Sequence, residues 1–239
     1  KEAAEYASRI DLSTVASGYY TATGAYGKGV RGGDIKYLDL NGDNIVNGGK
    51  GTLDDPGDRR VIGNSSPRYQ YGASLNFSWY GFDVSVFMQG IGRLDWYPGA
   101  DNLRFWGPYS RPYATFIPKN FMSQVWSEEN PDAYFPRARA YTSLNSNSGT
   151  AYYTNDRYLQ NLAYCRLKNL TIGYTIPRRL TSKVGIKECR IYFSGENLAT
   201  WSALKSDFLD PEQAAADSDK KANVYPWCKT YSIGLNLTF

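Results

Sequence analysis

Alternation of apolar and polar side chains with a period of two is the feature that most limits what this chain can fold into. It runs through five segments of the 239 residues, at 69–80, 82–90, 166–176, 189–197 and 230–239. Successive side chains of a strand point to opposite faces, so each segment predicts a β-strand with one apolar and one polar face. The sequence therefore predicts an all-β chain.

The third segment shows how charged residues fit this pattern. Leu170 and Ile172 belong to its apolar set, and strict alternation extends that set backwards through Lys168 and Arg166. We therefore expect both cations on the apolar face, at the level where that face meets water.

The connections between these segments alternate between short and long. Short links join the first strand to the second and the third to the fourth, whereas loops 91–165 and 198–229 are long. Antiparallel neighbours then place the short turns at one end of the sheet and the long loops at the other, as in transmembrane β-barrels. Residues 1–68 precede the strands as a separate loop region that begins with a short predicted helix.

The environment of the apolar face distinguishes two classes of protein. In a secreted β-sandwich that binds glycans, this face would pack against a second sheet, whereas in an outer-membrane barrel it would contact lipid. The opposite face carries Ser, Thr, Asn and Gly rather than the Lys and Glu that usually solubilise a sheet, and aromatic residues cluster at strand ends. These features favour the barrel, and the sandwich is the alternative.

Composition excludes several functions. The chain has no His, which removes the commonest general base and the Ser-His-Asp and Cys-His arrangements. Its 27 basic and 23 acidic residues form no dense basic block, so no nucleic-acid partner is expected. We assign no catalytic residue and predict that the chain is not an enzyme. Cys165 and Cys228 fall near the same predicted strand ends, but free thiols are favoured over a disulfide.

Several motifs follow one another in the order found in a known family. They are GDIKYLDLNGD at 33–43, DRRVIGN at 58–64, YGFDVSVFMQG at 80–90, RLKNLTIGY at 166–174, SGENL at 194–198 and GLNLTF at 234–239. In these motifs the chain resembles the C-terminal part of SusC/RagA-type TonB-linked outer-membrane transporters of Bacteroidota.

This resemblance implies a fold, a location and partners. The fold would be the last strands of a large plugged transmembrane β-barrel with long extracellular loops, in contact with outer-membrane lipid. The N-terminal remainder of the barrel and its plug would come from elsewhere, since no plug-like segment is found in this sequence. TonB would act through the plug, and a SusD-like surface lipoprotein would help to capture an oligosaccharide or oligopeptide.

A stretch rich in Asp and Asn predicts a calcium site. Its oxygen donors are spaced as at the start of a calcium-binding loop, with Asp58 available to complete the shell. The predicted ligands are Asp39, Asn41, Asp43, the carbonyl of Ile45, Asn47 and Asp58. The match is incomplete, because Asn44 replaces the usual glycine and Lys50 the usual bidentate Glu; a cluster of Asx-turns is the equal alternative.

The first long loop is rich in aromatic residues. Such rings suit contacts with sugars, peptides or a protein lid, although most are expected to pack the loop against its neighbours. Because they follow closely on a strand end, the residues predicted to contact substrate or lid are Trp96, Tyr97, Trp106 and Tyr109.

Overall fold

The structure is a computed structural model that describes residues 2–15, 29–110, 117, 119–139, 153–206, 209–216, 225 and 227–239. Its strands are β1 (Gln70–Trp79), β2 (Phe82–Ile91), β3 (Asp95–Trp96), β4 (Val125–Trp126), β5 (Phe135–Arg137), β6 (Gln160–Asn161), β7 (Tyr164–Thr175), β8 (Glu188–Ser202) and β9 (Thr230–Thr238). Its α-helices are α1 (Glu2–Arg9), α2 (Leu103–Trp106), α3 (Arg178–Thr181) and α4 (Pro211–Ala216). Short 3-10 turns lie at Gly107–Tyr109, Met122–Gln124 and Ser182–Val184.

The residues group into two compact units. The aromatic unit draws on Lys1–Gly63 and Tyr97–Leu159, and the sheet unit on Asn64–Trp96, Gln160–Asp217 and Asn223–Phe239.

The sheet unit is built on one antiparallel sheet of five strands in the order β1-β2-β7-β8-β9. Sequence neighbours therefore lie side by side, as expected for hairpin connections. The mostly-β, antiparallel character predicted from the alternation is confirmed. The main strands have nine to fifteen residues, longer than the five or six typical of soluble sheets.

A two-residue turn joins β1 to β2. Tyr80 and Gly81 both have positive φ, 47° and 88°, as a type I′ hairpin turn requires. A Cβ at Gly81 would lie 2.8 Å from the carbonyl oxygen of Thr175, so glycine is also needed for the close approach of β7.

The two faces of this sheet differ in chemistry. Direct cross-strand partners share a face, and the pairs Leu75–Val86, Val84–Ile172 and Ile191–Leu235 are apolar. The opposite face pairs Thr171 with both Ser85 and Ser194, and the hydroxyls of Thr171 and Ser194 lie 3.3 Å apart. The apolar face is open, since Leu75 is 64% exposed, Leu235 57% and Ile233 84%.

A β-bulge in β7 changes the predicted position of Arg166. Against β2, Phe87 pairs with Asn169 and Met88 with Leu167, so Lys168 is an extra residue of β7. Against β8, Asn197 and Leu198 both lie opposite Lys168, so the extra residue there belongs to β8. One inserted residue reverses the alternation on its N-terminal side. Arg166 thus pairs with Gln89 and Thr200 on the polar face, and its prediction on the apolar face is wrong.

The aromatic unit contains α1, α2 and the two-stranded parallel pair β4–β5. Helix α1 has Glu2 and Glu5 in its first turn and Arg9 in its last, charges that favour the helix dipole. The Tyr6 hydroxyl donates to the carbonyl oxygen of Tyr37 at 2.6 Å and so fixes the helix to the following segment. Within the described ranges, no helix combines the length and apolarity needed to cross a membrane.

Candidate functional site

A cluster of buried rings forms the centre of the aromatic unit. Phe105 packs edge-to-face on Trp106 at 4.8 Å between centroids, and Trp106 packs on Tyr158 at 5.0 Å. Tyr109 and Phe121 extend the cluster through Phe135, at 5.8 and 5.2 Å. Each such contact adds about 0.5–1.5 kcal/mol beyond area burial, so the rings stabilise this unit collectively.

Local capping positions these rings. The side-chain oxygen of Asn102 accepts from the amide of Phe105 at 2.9 Å, which starts α2 and turns Phe105 and Trp106 inward. Gly107 ends the helix with φ of 53°, and a Cβ there would lie 3.1 Å from the ring of Phe121. A residue other than glycine at 107 would be strained by the positive φ and would require the ring of Phe121 to shift slightly.

The tyrosine hydroxyls in and around the cluster are satisfied by backbone carbonyls. Tyr109 donates to Pro136 at 2.6 Å, while Tyr37 and Tyr97 both donate to Tyr153, at 3.1 and 3.2 Å. Burial is the main cause that raises the pKa of Tyr37, Tyr97 and Tyr109 above the usual value. These hydroxyls therefore stay protonated at neutral pH and act as hydrogen-bond donors.

A cleft of about 1090 Å³ opens beside the cluster, within the aromatic unit. Arg59, Arg60 and Arg157 contribute cations to its lining, and Asp58 and Asp156 contribute carboxylates. Arg60 and Asp156 form a solvent-exposed ion pair at 3.0 Å. Tyr97 and Trp126 supply aromatic surface. A cleft of this size with mixed charges and rings suits a polar oligomer such as a peptide or a glycan.

The structure places the predicted contact residues mainly in the protein interior. Trp106 and Tyr109 are 1% and 4% exposed and belong to the ring cluster. Tyr97 is buried but borders the cleft, and Trp96 is buried in the sheet unit, where β3 pairs it with Gln160. The indole N–H of Trp96 has no hydrogen-bond partner among the described residues. A role for these residues in ligand contact stays a prediction.

The predicted calcium loop is folded around its own backbone amides. Asp39 accepts from Gly42 and Asn44, Asn41 from Asp43, and Asp43 from Ile45. Asp58 holds the two ends of the loop together by accepting from Leu40 at 2.6 Å and Asn47 at 2.8 Å. Although desolvation opposes it, hydrogen bonding from these amides lowers the pKa of Asp39.

The side-chain oxygens of the loop thus accept from its own backbone amides, the pattern of Asx-turns. Among the residues that the structure describes, no three Asp, Glu, Cys or His side chains form a group suited to a metal ion. Calcium binding by Asp39, Asn41, Asp43, Ile45, Asn47 and Asp58 stays a prediction.

Sequence reasoning missed a charged cluster on the polar face of the sheet unit. Arg166 donates to Thr200 at 2.9 Å and Glu212 at 2.8 Å, and it also binds Asp210. Lys168 donates to both carboxylate oxygens of Glu212 at 2.9 Å. The bulge at Lys168 brings both cations to this face, and a break in the alternation of 166–170 was the only signal in the sequence. The three cysteines, Cys165, Cys189 and Cys228, are free thiols.

These observations define a class of architecture, an antiparallel sheet of five long strands with long connecting loops, one apolar face and one polar face. No family model matches the chain. Two receptors of Formosa agariphila are similar to it in sequence. TonB-dependent receptor P26 is 28% identical over 215 residues, which are 87% of this chain and 20% of the receptor. TonB-dependent receptor P3 is 27% identical over 217 residues, or 87% of this chain and 19% of the receptor. The chain spans about a fifth of the length of these relatives.

Solved structures agree with this assignment at the level of fold. A structure of the RagAB peptide transporter matches with a TM-score of 0.54 and 24% identity, over 75% of this chain and 18% of that one. The closed-closed state of the RagAB peptide importer matches with a TM-score of 0.53 over the same shares, at 24% identity. The resemblance read from the sequence is confirmed: the chain is similar to one part of TonB-dependent receptors, and its fold is similar to that of the RagAB structures.

Proposed function

We propose that this chain forms part of the wall and outer loops of a TonB-dependent outer-membrane importer. The observation that carries the proposal is the chemistry of the five-stranded sheet, one face of which is apolar and open while the other is polar. The similarity to TonB-dependent receptors supports it independently.

Each face has a role in such a wall. The face that includes Leu75, Ile233 and Leu235 meets hydrocarbon, where exposed apolar side chains are stabilised rather than penalised. The face that includes Ser85, Thr171 and Ser194 lines the lumen. Strands β1 and β9 are edges of this sheet, and the other strands of the receptor pair with them, because a bilayer cannot hydrate unpaired backbone groups.

The cargo we propose is an oligopeptide or an oligosaccharide, captured with a SusD-like lipoprotein and released when TonB acts on the plug. The cleft of the aromatic unit supports this class of cargo, because it combines Arg59, Arg157 and Asp58 with the ring of Trp126. The solved structures similar in fold are those of a peptide transporter or importer, which makes oligopeptides the first class to test.

The alternative of a secreted glycan-binding β-sandwich is less well supported. A sandwich requires a second sheet over the apolar face, which would bury that face. Instead, Ile233 is 84% exposed and Leu75 64% exposed.

Uptake by whole cells tests the proposal. Cells that carry the complete receptor should accumulate a labelled oligopeptide or oligosaccharide, and deletion of either the receptor or TonB should abolish this uptake. A receptor variant that lacks only the TonB-contacting segment serves as the matched control, since its barrel is intact. Uptake that is unchanged without TonB would refute the proposal.

A further inference from the structure

The charged cluster on the polar face joins a loop to the sheet. Arg166 and Lys168 project from β7, whereas Asp210 and Glu212 belong to the start of α4 in the connection between β8 and β9. Glu212 bridges both cations, and Asp210 binds only Arg166. The indole of Trp227 lies 4.8 Å from Lys168 Nζ and so adds a cation–π contact.

Arg166 needs a carboxylate partner as long as it is buried. The Arg166 side chain is only 1% exposed, and an uncompensated charge at such a site is strongly unfavourable. The carboxylates are more accessible than Arg166, since the side chain of Asp210 is 13% exposed and that of Glu212 23%, and Lys168 is 15% exposed. Arg166 is therefore the most buried member of the cluster, and each of its two carboxylate partners is partly open to solvent.

We propose that Arg166, Lys168 and Thr200 form a carboxylate-binding site on the polar face, which Asp210 and Glu212 occupy in this structure in place of acidic cargo. Arginine binds carboxylate through a planar set of donors, lysine adds a second charge, and the Thr200 hydroxyl fixes the guanidinium by accepting from Arg166 Nε. Cargo with two neighbouring carboxylates satisfies the same donors that α4 satisfies now.

Exchange of the α4 carboxylates for those of the cargo suits a transport pathway. If the polar face lines the lumen, as the function proposed above requires, α4 stands in the path of the cargo. A buried ion pair contributes little net stability because desolvation offsets the attraction, so replacing one carboxylate by another has a small free-energy cost. Acidic cargo would thus displace α4 without ever leaving Arg166 unpaired.

Binding to the complete receptor in detergent, without TonB, tests this site. The probes are a triglutamate peptide and an oligogalacturonate, with a triglutamine peptide as the neutral control. The variant Asp210→Asn/Glu212→Gln removes the competing charges without changing side-chain shape, and Glu212→Gln alone is the milder substitution if the double variant fails to fold. Asp83→Asn is the matched control, because it also frees an arginine, Arg190, on the polar face.

We expect the double variant to bind an acidic probe at least about tenfold more tightly, since a competing buried charge is removed. Lys168→Gln should reverse the gain, and added salt should weaken it. A gain confined to one acidic probe identifies the cargo as peptide or glycan. Unchanged affinity, or an equal gain for triglutamine or in Asp83→Asn, would overturn the assignment.

The experiments distinguish failure of the carboxylate-binding site from failure of the proposed function. A receptor that imports cargo with TonB but shows no gain for acidic probes is an importer without this site. A receptor that shows the gain but no TonB-dependent uptake has the site without the function.

Discussion

Removal of one carboxylate from the aromatic unit should open this unit locally. Arg139 and Asp34 form an ion pair whose side chains are 1% and 0% exposed, with Arg139 Nε 2.7 Å from Asp34 Oδ1. Arg139 also donates to the carbonyl oxygen of Gly29 at 2.9 Å. The substitution Asp34→Asn keeps the shape but removes the counter-charge that Asp34 supplies to the buried guanidinium.

The size of this effect follows from burial. Breaking one side of a buried pair costs about 3–5 kcal/mol, which corresponds to a roughly hundredfold to several-thousandfold increase in local opening. Hydrogen exchange in the complete receptor measures it at the amide of Arg137, which donates to the carbonyl oxygen of Gly33 at 2.7 Å. We expect faster exchange at this amide, by at least about a hundredfold.

Two further variants separate burial from loss of charge. Asp156→Asn breaks the exposed Arg60–Asp156 pair, whose side chains are 63% and 66% exposed, and should cost less than about 1 kcal/mol. The double variant Asp34→Leu/Arg139→Met replaces both charges with apolar groups and should restore most of the protection. If Asp34→Asn exchanged no faster than Asp156→Asn, the reasoning from burial would be refuted.

Three other results are expected. Leu235→Arg places a charge on the apolar face and should lower the free energy of unfolding of the receptor in a bilayer by about 2–4 kcal/mol. Asn236→Arg, on the polar face, should lower it by less. Equal free energies of unfolding for the two variants would contradict this. Calcium should raise the melting temperature of the receptor, and the double variant Asp39→Asn/Asp58→Asn should bind calcium at least about tenfold more weakly. A melting temperature that a chelator does not change would contradict the calcium hypothesis. Burial raises the pKa of Tyr158 above that of an unfolded tyrosine, so the stability that the neutral Tyr158 hydroxyl contributes should be complete below about pH 10 and lost as the pH rises further. The difference in tyrosinate absorbance between wild type and Tyr158→Phe measures the ionisation of this residue. Ionisation near pH 10 in the native protein would contradict the prediction.

The sheet could be predicted from the sequence because a period of two encodes the two faces directly. The segment with Ile233 and Leu235 alternates without interruption, and β9 pairs along its whole length with β8. The bulge at Lys168 was missed, because a single extra residue changes the phase without changing composition, and the break in alternation at 166–170 was its only signal. It was the structure that moved Arg166 to the polar face and revealed its partners in α4.

The aromatic unit was harder to interpret from the sequence. Its rings follow no period, so sequence alone cannot separate Trp106, which lies in the ring cluster, from Trp126, which lines the cleft. The partners of Tyr37 and Tyr97 also come from distant residues, since both bind the carbonyl oxygen of Tyr153. Such long-range contacts have no local sequence signal.

Lipid contact is the most direct test of the account. A photoreactive amino acid introduced at Ile233 or Leu75 in the complete receptor, in native outer membranes, should cross-link to lipid acyl chains. The same group at Ser232 or Asn76, the neighbouring positions on the polar face, should not. Lipid adducts at the polar positions, or none at Ile233 and Leu75, would contradict the assignment of the apolar face to the membrane.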